Sequence, residues 1–169
     1  MNYYELFNLP VELDIDQATL KAQSLKLQQQ YHPDRVEDKN FALIKSSEIN
    51  QAYNTLSQID SRAGYLLKLV QQDQGLEQSI HDFDFLQSAL DLRERLDDAQ
   101  SAEQLSALKQ EIRQHIVDLS QDFKTQYHAK TWDAAQETVR KLQFFQRVLN
   151  DIDKAEERLL DDFDLNDDF

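Results

Sequence analysis

Between Leu105 and Tyr127 the apolar residues Leu105, Leu108, Ile112, Ile116, Leu119, Phe123 and Tyr127 recur every three or four positions. That spacing is one face of a long helix. Ser101 opens the segment with Ser-Ala-Glu-Gln, a capping-box pattern. A second run, Trp132, Ala135, Val139, Leu142, Phe145, Leu149 and Ile152, predicts a last helix beginning at Thr131. A third segment, from about Phe83 to Asp98, completes an antiparallel three-helix bundle.

The front of the chain has shorter periods. Asn2 to Asn8 reads as a brief aromatic-rich helix stopped by Pro10, and Asp16 as the N-cap of the next. Leu20, Ser24, Leu27 and Tyr31 trace one buried stripe. This helix ends before Pro33, because proline removes a donor and disfavours helical geometry at His32. Phe41, Ile44, Ile49, Ala52, Tyr53, Leu56 and Ile59 then predict an antiparallel partner, and Ser61 to Val70 a short fourth helix. The tripeptide His32-Pro33-Asp34 therefore caps a helical hairpin. The polar stretch QQDQGLEQSI is the linker candidate, dividing the chain into domains over residues 1–75 and 76–169.

Composition supports an all-α chain, since only two glycines and two prolines interrupt it. Acidic residues outnumber basic ones by 32 to 18, which argues against a nucleic-acid partner. The excess lies behind Gly75, with 22 acidic and 11 basic residues, against 10 and 7 up to that point. The absence of cysteine excludes disulfides, thiolate catalysis and a cluster held by this chain's own thiolates. No run reaches the roughly 18 apolar residues of a membrane span, and the N-terminus lacks a basic, apolar leader. A cytoplasmic protein is expected. The tail DDFDLNDDF reads as solvated, with Phe163 and Phe169 as residues able to dock.

Chemically, His32 and Asp34 could serve a hydrolase or a metal, but two such residues flanking a proline make no site without a third partner. His-Pro-Asp is also a reasonable turn. His81, His115 and His128 are scattered and read as solvated or hydrogen-bonded residues. No cofactor and no metal site is expected, and no catalytic residue.

The context of the tripeptide resembles the J-domain family. YYELFNLP, the helix ending QQYHPDR, and INQAYNTL carry the resemblance from Asn2 to about Val70. It implies a co-chaperone that docks on a DnaK-type chaperone and stimulates its ATP hydrolysis, with His32, Pro33 and Asp34 as the stimulating residues. Beside them Lys21, Lys26 and Arg35, with Lys39 further on, supply a basic face sparser than the family's usual one. RAGYLL, FLQSALDLRERLDD and TWDAAQETVRKLQFFQRV extend the likeness to HscB-type co-chaperones of iron–sulfur cluster assembly. That likeness implies a bundle that binds the scaffold protein IscU and delivers it to the chaperone HscA.

Periodicity and resemblance meet on the client face. Phe85, Ala89, Leu92 and Leu96 form one stripe, while Leu86 and Leu90 form another about 100° round. Phe144 lies about 200° from Leu142 and reads as a surplus aromatic. On pattern alone Leu86 and Leu90 serve equally as core or as partner site. The resemblance assigns Leu86, Leu90, Asp91, Glu94 and Phe144 to scaffold binding, as an exposed patch with an acidic rim, while Trp132, at the head of the last helix's stripe, reads as core. The alternatives are a J-type co-chaperone whose bundle dimerises or takes another client, and a metal-dependent hydrolase using His32 and Asp34.

Overall fold

A computed structural model describes residues 1–167. Among the described residues there are seven helices and no strand: α1 (Tyr3–Leu6), α2 (Gln17–Gln30), α3 (Lys39–Ser57), α4 (Ile59–Leu69), α5 (Phe83–Asp98), α6 (Ala102–His128) and α7 (Trp132–Asp167). They form two compact units, Met1–Asp73 and a second beginning at Gln74.

In the first unit α1 is shorter than its sequence pattern. Asn2 and Glu5 close a reciprocal capping box at its start. Its end comes before Pro10, because Asn8 adopts a left-handed conformation (φ 56°) and the Leu9 N–H turns back to the Tyr4 carbonyl. Tyr4 and Phe7 are thereby driven into the core with Leu20, Ile49, Leu56 and Leu67. Tyr3 stacks on Tyr65 at 4.5 Å, and the Tyr65 hydroxyl accepts the Tyr3 N–H.

The α2–α3 hairpin buries less apolar surface than its sequence promised. Leu20 and Ser24 are buried, but Phe41 and Ile44 are exposed, and Ala42 takes the inward position. Ala42 stands two turns before Ile49 and so shares its inward face, whereas Ile44 lies about 140° round from Ile49. Polar groups fill the gap: Ser46 donates to Gln28 Oε1, and Gln28 Nε2 donates to Asn50. Beyond them Tyr31 meets Phe41 edge-on.

At the other end α3 finishes with orphan carbonyls, as every helix does. Ser61 Oγ donates to the Thr55 carbonyl at 2.7 Å, and Arg62 Nη1 to the Leu56 carbonyl at 2.7 Å. Arg62 Nε also donates to the Leu13 carbonyl at 2.6 Å. Helix α4 therefore starts at Ile59, ahead of the Ser61 that periodicity marked.

In the second unit α6 runs antiparallel to α7, as Lys109–Glu156 and Thr138–Gln126 show. Pairs Asp82–Lys141, Phe85–Phe145 and Arg93–Asp151 set α5 parallel to α7, and Arg95–Glu111 sets it antiparallel to α6. This is the up-down-up bundle expected from short connections. Its core includes Leu92, Leu105, Leu108, Ile112, Phe145, Val148 and Ile152. Trp132, expected as core, is half-buried against the Tyr127 ring. At the head of α6 Ser101 accepts the Gln104 N–H, while Gln104 accepts the N–H of Gln100, one residue before the box position.

The linker is only partly one. Gly75 is left-handed (φ 77°), and its carbonyl accepts from the buried Arg140 guanidinium of α7 at 2.7 Å. Glu137 accepts the His81 N–H and pairs with Arg140. The stretch from Gly75 to Asp82 is thus fastened along α7. Helix α7 continues through the acidic tail to Asp167, leaving Phe163 exposed; Phe169 lies outside the described residues.

Arg62 is 6 % exposed, and burial lowers its affinity for its proton while Tyr4, Asp14 and Asp60 oppose that effect. Arg62→Met should leave two buried carbonyls without their charged donor, costing about 2 to 4 kcal/mol. Urea denaturation of the full chain, followed by tyrosine fluorescence, should show the loss in the first unit; an unchanged midpoint would mean other donors replace the guanidinium.

Candidate functional site

Helix α2 closes on Tyr31, whose N–H reaches the Leu27 carbonyl, and α3 restarts with Asp38 accepting the N–H groups of Asn40 and Phe41. Between them the His32 carbonyl accepts from Arg35 N at 2.8 Å and Val36 N at 3.2 Å, folding the tripeptide into a tight turn. His32, Pro33, Asp34 and Arg35 are all exposed, as are Lys21 and Lys26 on α2 and Lys39 at the start of α3.

The turn sets the imidazole chemistry. The Asp34 N–H donates to His32 Nδ1 at 3.2 Å. A neutral ring accepting at Nδ1 carries its proton on Nε2, its remaining donor. The Asp34 carboxylate stands 3.5 Å from the same Nδ1 and is almost fully exposed. The loop therefore offers a donor and an acceptor with no third residue to complete a hydrolytic or metal site. Among the described residues no group of three or more His, Asp or Glu side chains could hold a metal ion.

Helix α5 carries the second candidate. Asp82 caps it by accepting the Phe85 N–H, and Lys141 holds the same carboxylate. With Ala89 and Leu92 turned inward, the opposite face must meet water. Leu86 is 39 % and Leu90 67 % exposed, and Glu94 is exposed beside them.

Two expectations change here. Phe144 is not surplus: it is half-buried, packs against the bundle core, meets Phe85 edge-on at 5.7 Å and lies under the Arg93 guanidinium. A bundle helix touching two neighbours buries a wider arc than one stripe, and α5 claims Phe144 for that seam. Asp91 is not a free rim charge either, since Arg95 lies 3.2 Å from it. Arg95 also donates two hydrogen bonds to Glu111 of α6, which hold the Glu111 carboxyl below its usual range. Periodicity alone missed Arg93, Arg95 and Glu111, although opposite charges on adjacent helices were a visible signal.

Among the described residues no helix is long and apolar enough to cross a membrane. A family profile described as the DnaJ domain matches residues 2–65, and one described as the HSCB C-terminal oligomerisation domain matches residues 81–153. The chain is 64 % identical over 172 residues to a co-chaperone protein HscB homolog of Acinetobacter baumannii, covering all of both chains. It is 37 % identical to co-chaperone protein HscB of Proteus mirabilis, over 96 % of this chain and the whole of that one. The solved structure of chaperone HscB from Vibrio cholerae superimposes with a TM-score of 0.77 at 30 % identity, over 94 % of this chain and 99 % of that one. Human co-chaperone HscB gives 0.77 at 23 % identity, over 92 % and 82 %, and supports the fold. With the turn, the two helical units and both profile matches in agreement, the chain belongs to the HscB family of J-domain co-chaperones.

Proposed function

We propose that this protein binds the iron–sulfur scaffold IscU through its second unit, delivers it to the DnaK-like chaperone HscA, and stimulates the ATPase of that chaperone through its first. The observation that carries the reading is the exposed His32-Pro33-Asp34 turn at the tip of a hairpin whose core lies elsewhere. Such a turn is free to serve a partner without cost to the fold. Proline fixes the backbone between a donor and a carboxylate, so little loop entropy is lost on docking. Lys21, Lys26 and Arg35 add local positive charge to a chain of net charge −14, which orients encounter with an acidic surface.

For the client, Leu86 and Leu90 are apolar anchors and Glu94 a charged neighbour. Phe144 acts through its contacts with Phe85 and Arg93 of α5, and Asp91 through its pair with Arg95. Work is divided between a chaperone-facing domain over residues 1–75 and a client-facing one over 76–169, in the cytoplasm. The chain supplies no cofactor and performs no catalysis itself.

A second reading is favoured by one finding, the oligomerisation domain named by the matching profile. In it the α5 face joins two copies. The 22 acidic and 11 basic residues behind Gly75 would then repel their own kind, so the client reading is preferred; sedimentation at rising concentration separates the two.

His32→Gln should fold and melt like the parent yet lose most of its stimulation of the HscA ATPase in steady-state assays; parental stimulation would defeat the docking assignment. Residues 1–75 alone should stimulate the chaperone without recruiting IscU, and a fragment that fails to fold would assign both units to one cooperative structure. Leu86→Ala with Leu90→Ala should weaken IscU binding on the order of a hundredfold at nearly constant Tm, since both side chains are exposed. Phe144→Ala should lower stability by about 1 to 3 kcal/mol, because it opens a packed seam.

A further inference from the structure

Helix α5 meets its neighbours along two seams, and they differ. Toward α7 the first half of the seam is filled by the cluster of Phe85, Phe144 and Phe145, and a groove of about 420 Å³ without an aromatic floor opens beside the Arg93–Asp151 ion pair. Toward α6 the small Ser88 and Ala89 leave space among their larger neighbours, and an open groove of about 510 Å³ remains. Phe85, Leu92 and Phe145 line it from below. His115 of α6 forms a wall, stacked on Phe145 with ring centroids 5.1 Å apart and planes 7° from parallel.

Among the described residues the one cation lining the groove is shared by two carboxylates. Arg95 binds Glu111 through two hydrogen bonds at 2.8 and 2.9 Å and contacts Asp91, and Glu111 lies 3.9 Å from the His115 ring. The surplus negative charge repels an anionic ligand, whereas an apolar side chain could settle on the aromatic floor without disturbing the network. The groove is also continuous with the outer face of α5. Gln87 and Asp91 stand on its rim and one turn or less from Leu86 and Leu90.

We infer that the α5–α6 groove receives an apolar side chain of the same scaffold protein that covers Leu86 and Leu90, which adds Ser88, Glu111 and His115 to the client footprint. The inference rests on the client reading above. It extends the footprint along the α6 flank of α5, where the groove has an aromatic floor; the groove toward α7, lined by Arg93, Leu96 and Asp151, has none.

Ser88→Phe fills the groove from α5 while leaving Leu86, Leu90 and Phe144 in place. Calorimetric titration of the full-length variant with apo IscU should show affinity about tenfold weaker than the parent's, with HscA stimulation in the absence of IscU unchanged. In the unmodified protein the backbone amide resonances of Glu111 and His115 should shift as apo IscU is added, a readout that stands even if Ser88→Phe lowers Tm. Parental affinity in Ser88→Phe with unmoved Glu111 and His115 amides would overturn the groove, and the Leu86→Ala/Leu90→Ala protein, still defective, would then keep the outer face. If the leucine variant also binds like the parent, the client reading itself falls.

Discussion

The guanidinium of Arg62 holds the first unit together where no apolar side chain could. Helix α3 must end so that α4 can fold back, and its last carbonyls point into a buried junction. Arg62 satisfies one of them and the Leu13 carbonyl of the α1–α2 connection besides, tying three segments to one charge. With Tyr4 and Phe7 wedged in nearby, the base of the hairpin is fixed. That leaves the opposite end, with its His-Pro-Asp turn, free of structural duty.

The second unit solves a different problem. A long pair, α6 and α7, buries its apolar stripes mutually, while the sixteen-residue α5 can cover only part of that pair. Elsewhere Gly75 to Asp82 runs along α7, held by Arg140, Glu137 and Lys141. Placing α5 at the edge of the bundle is what allows it two exposed leucines and an unfilled seam at little cost in core.

Much of this was legible in sequence because it depends on local rules. The apolar pattern located α5 at both ends, and cap signals marked Asp16 and Ser101 as N-caps. Pro33 required a break, and the resemblance gave the break its meaning. What was not legible depends on the partner helix. Phe41 and Ile44 are instead a misread period: Ala42, two turns before Ile49, shares its buried face, whereas Ile44 lies about 140° round from Ile49 and is exposed. Phe144 seemed surplus when α7 was read alone and became seam once α5 lay against it. The groove arises from Ser88 and Ala89 facing His115, a juxtaposition of residues no single-helix pattern contains.

The amide contacts among Gln28, Ser46 and Asn50 have a dynamic consequence. Side-chain amides exchange readily with water, so the outer half of the hairpin is fastened by bonds the solvent can replace, while its base is fastened by burial. Thermal openings should begin at the turn and die out toward Ile49 and Leu56, giving the docking end a local pliancy uncoupled from global unfolding. A partner can then reshape the few residues it grips without drawing on the stability of the whole molecule.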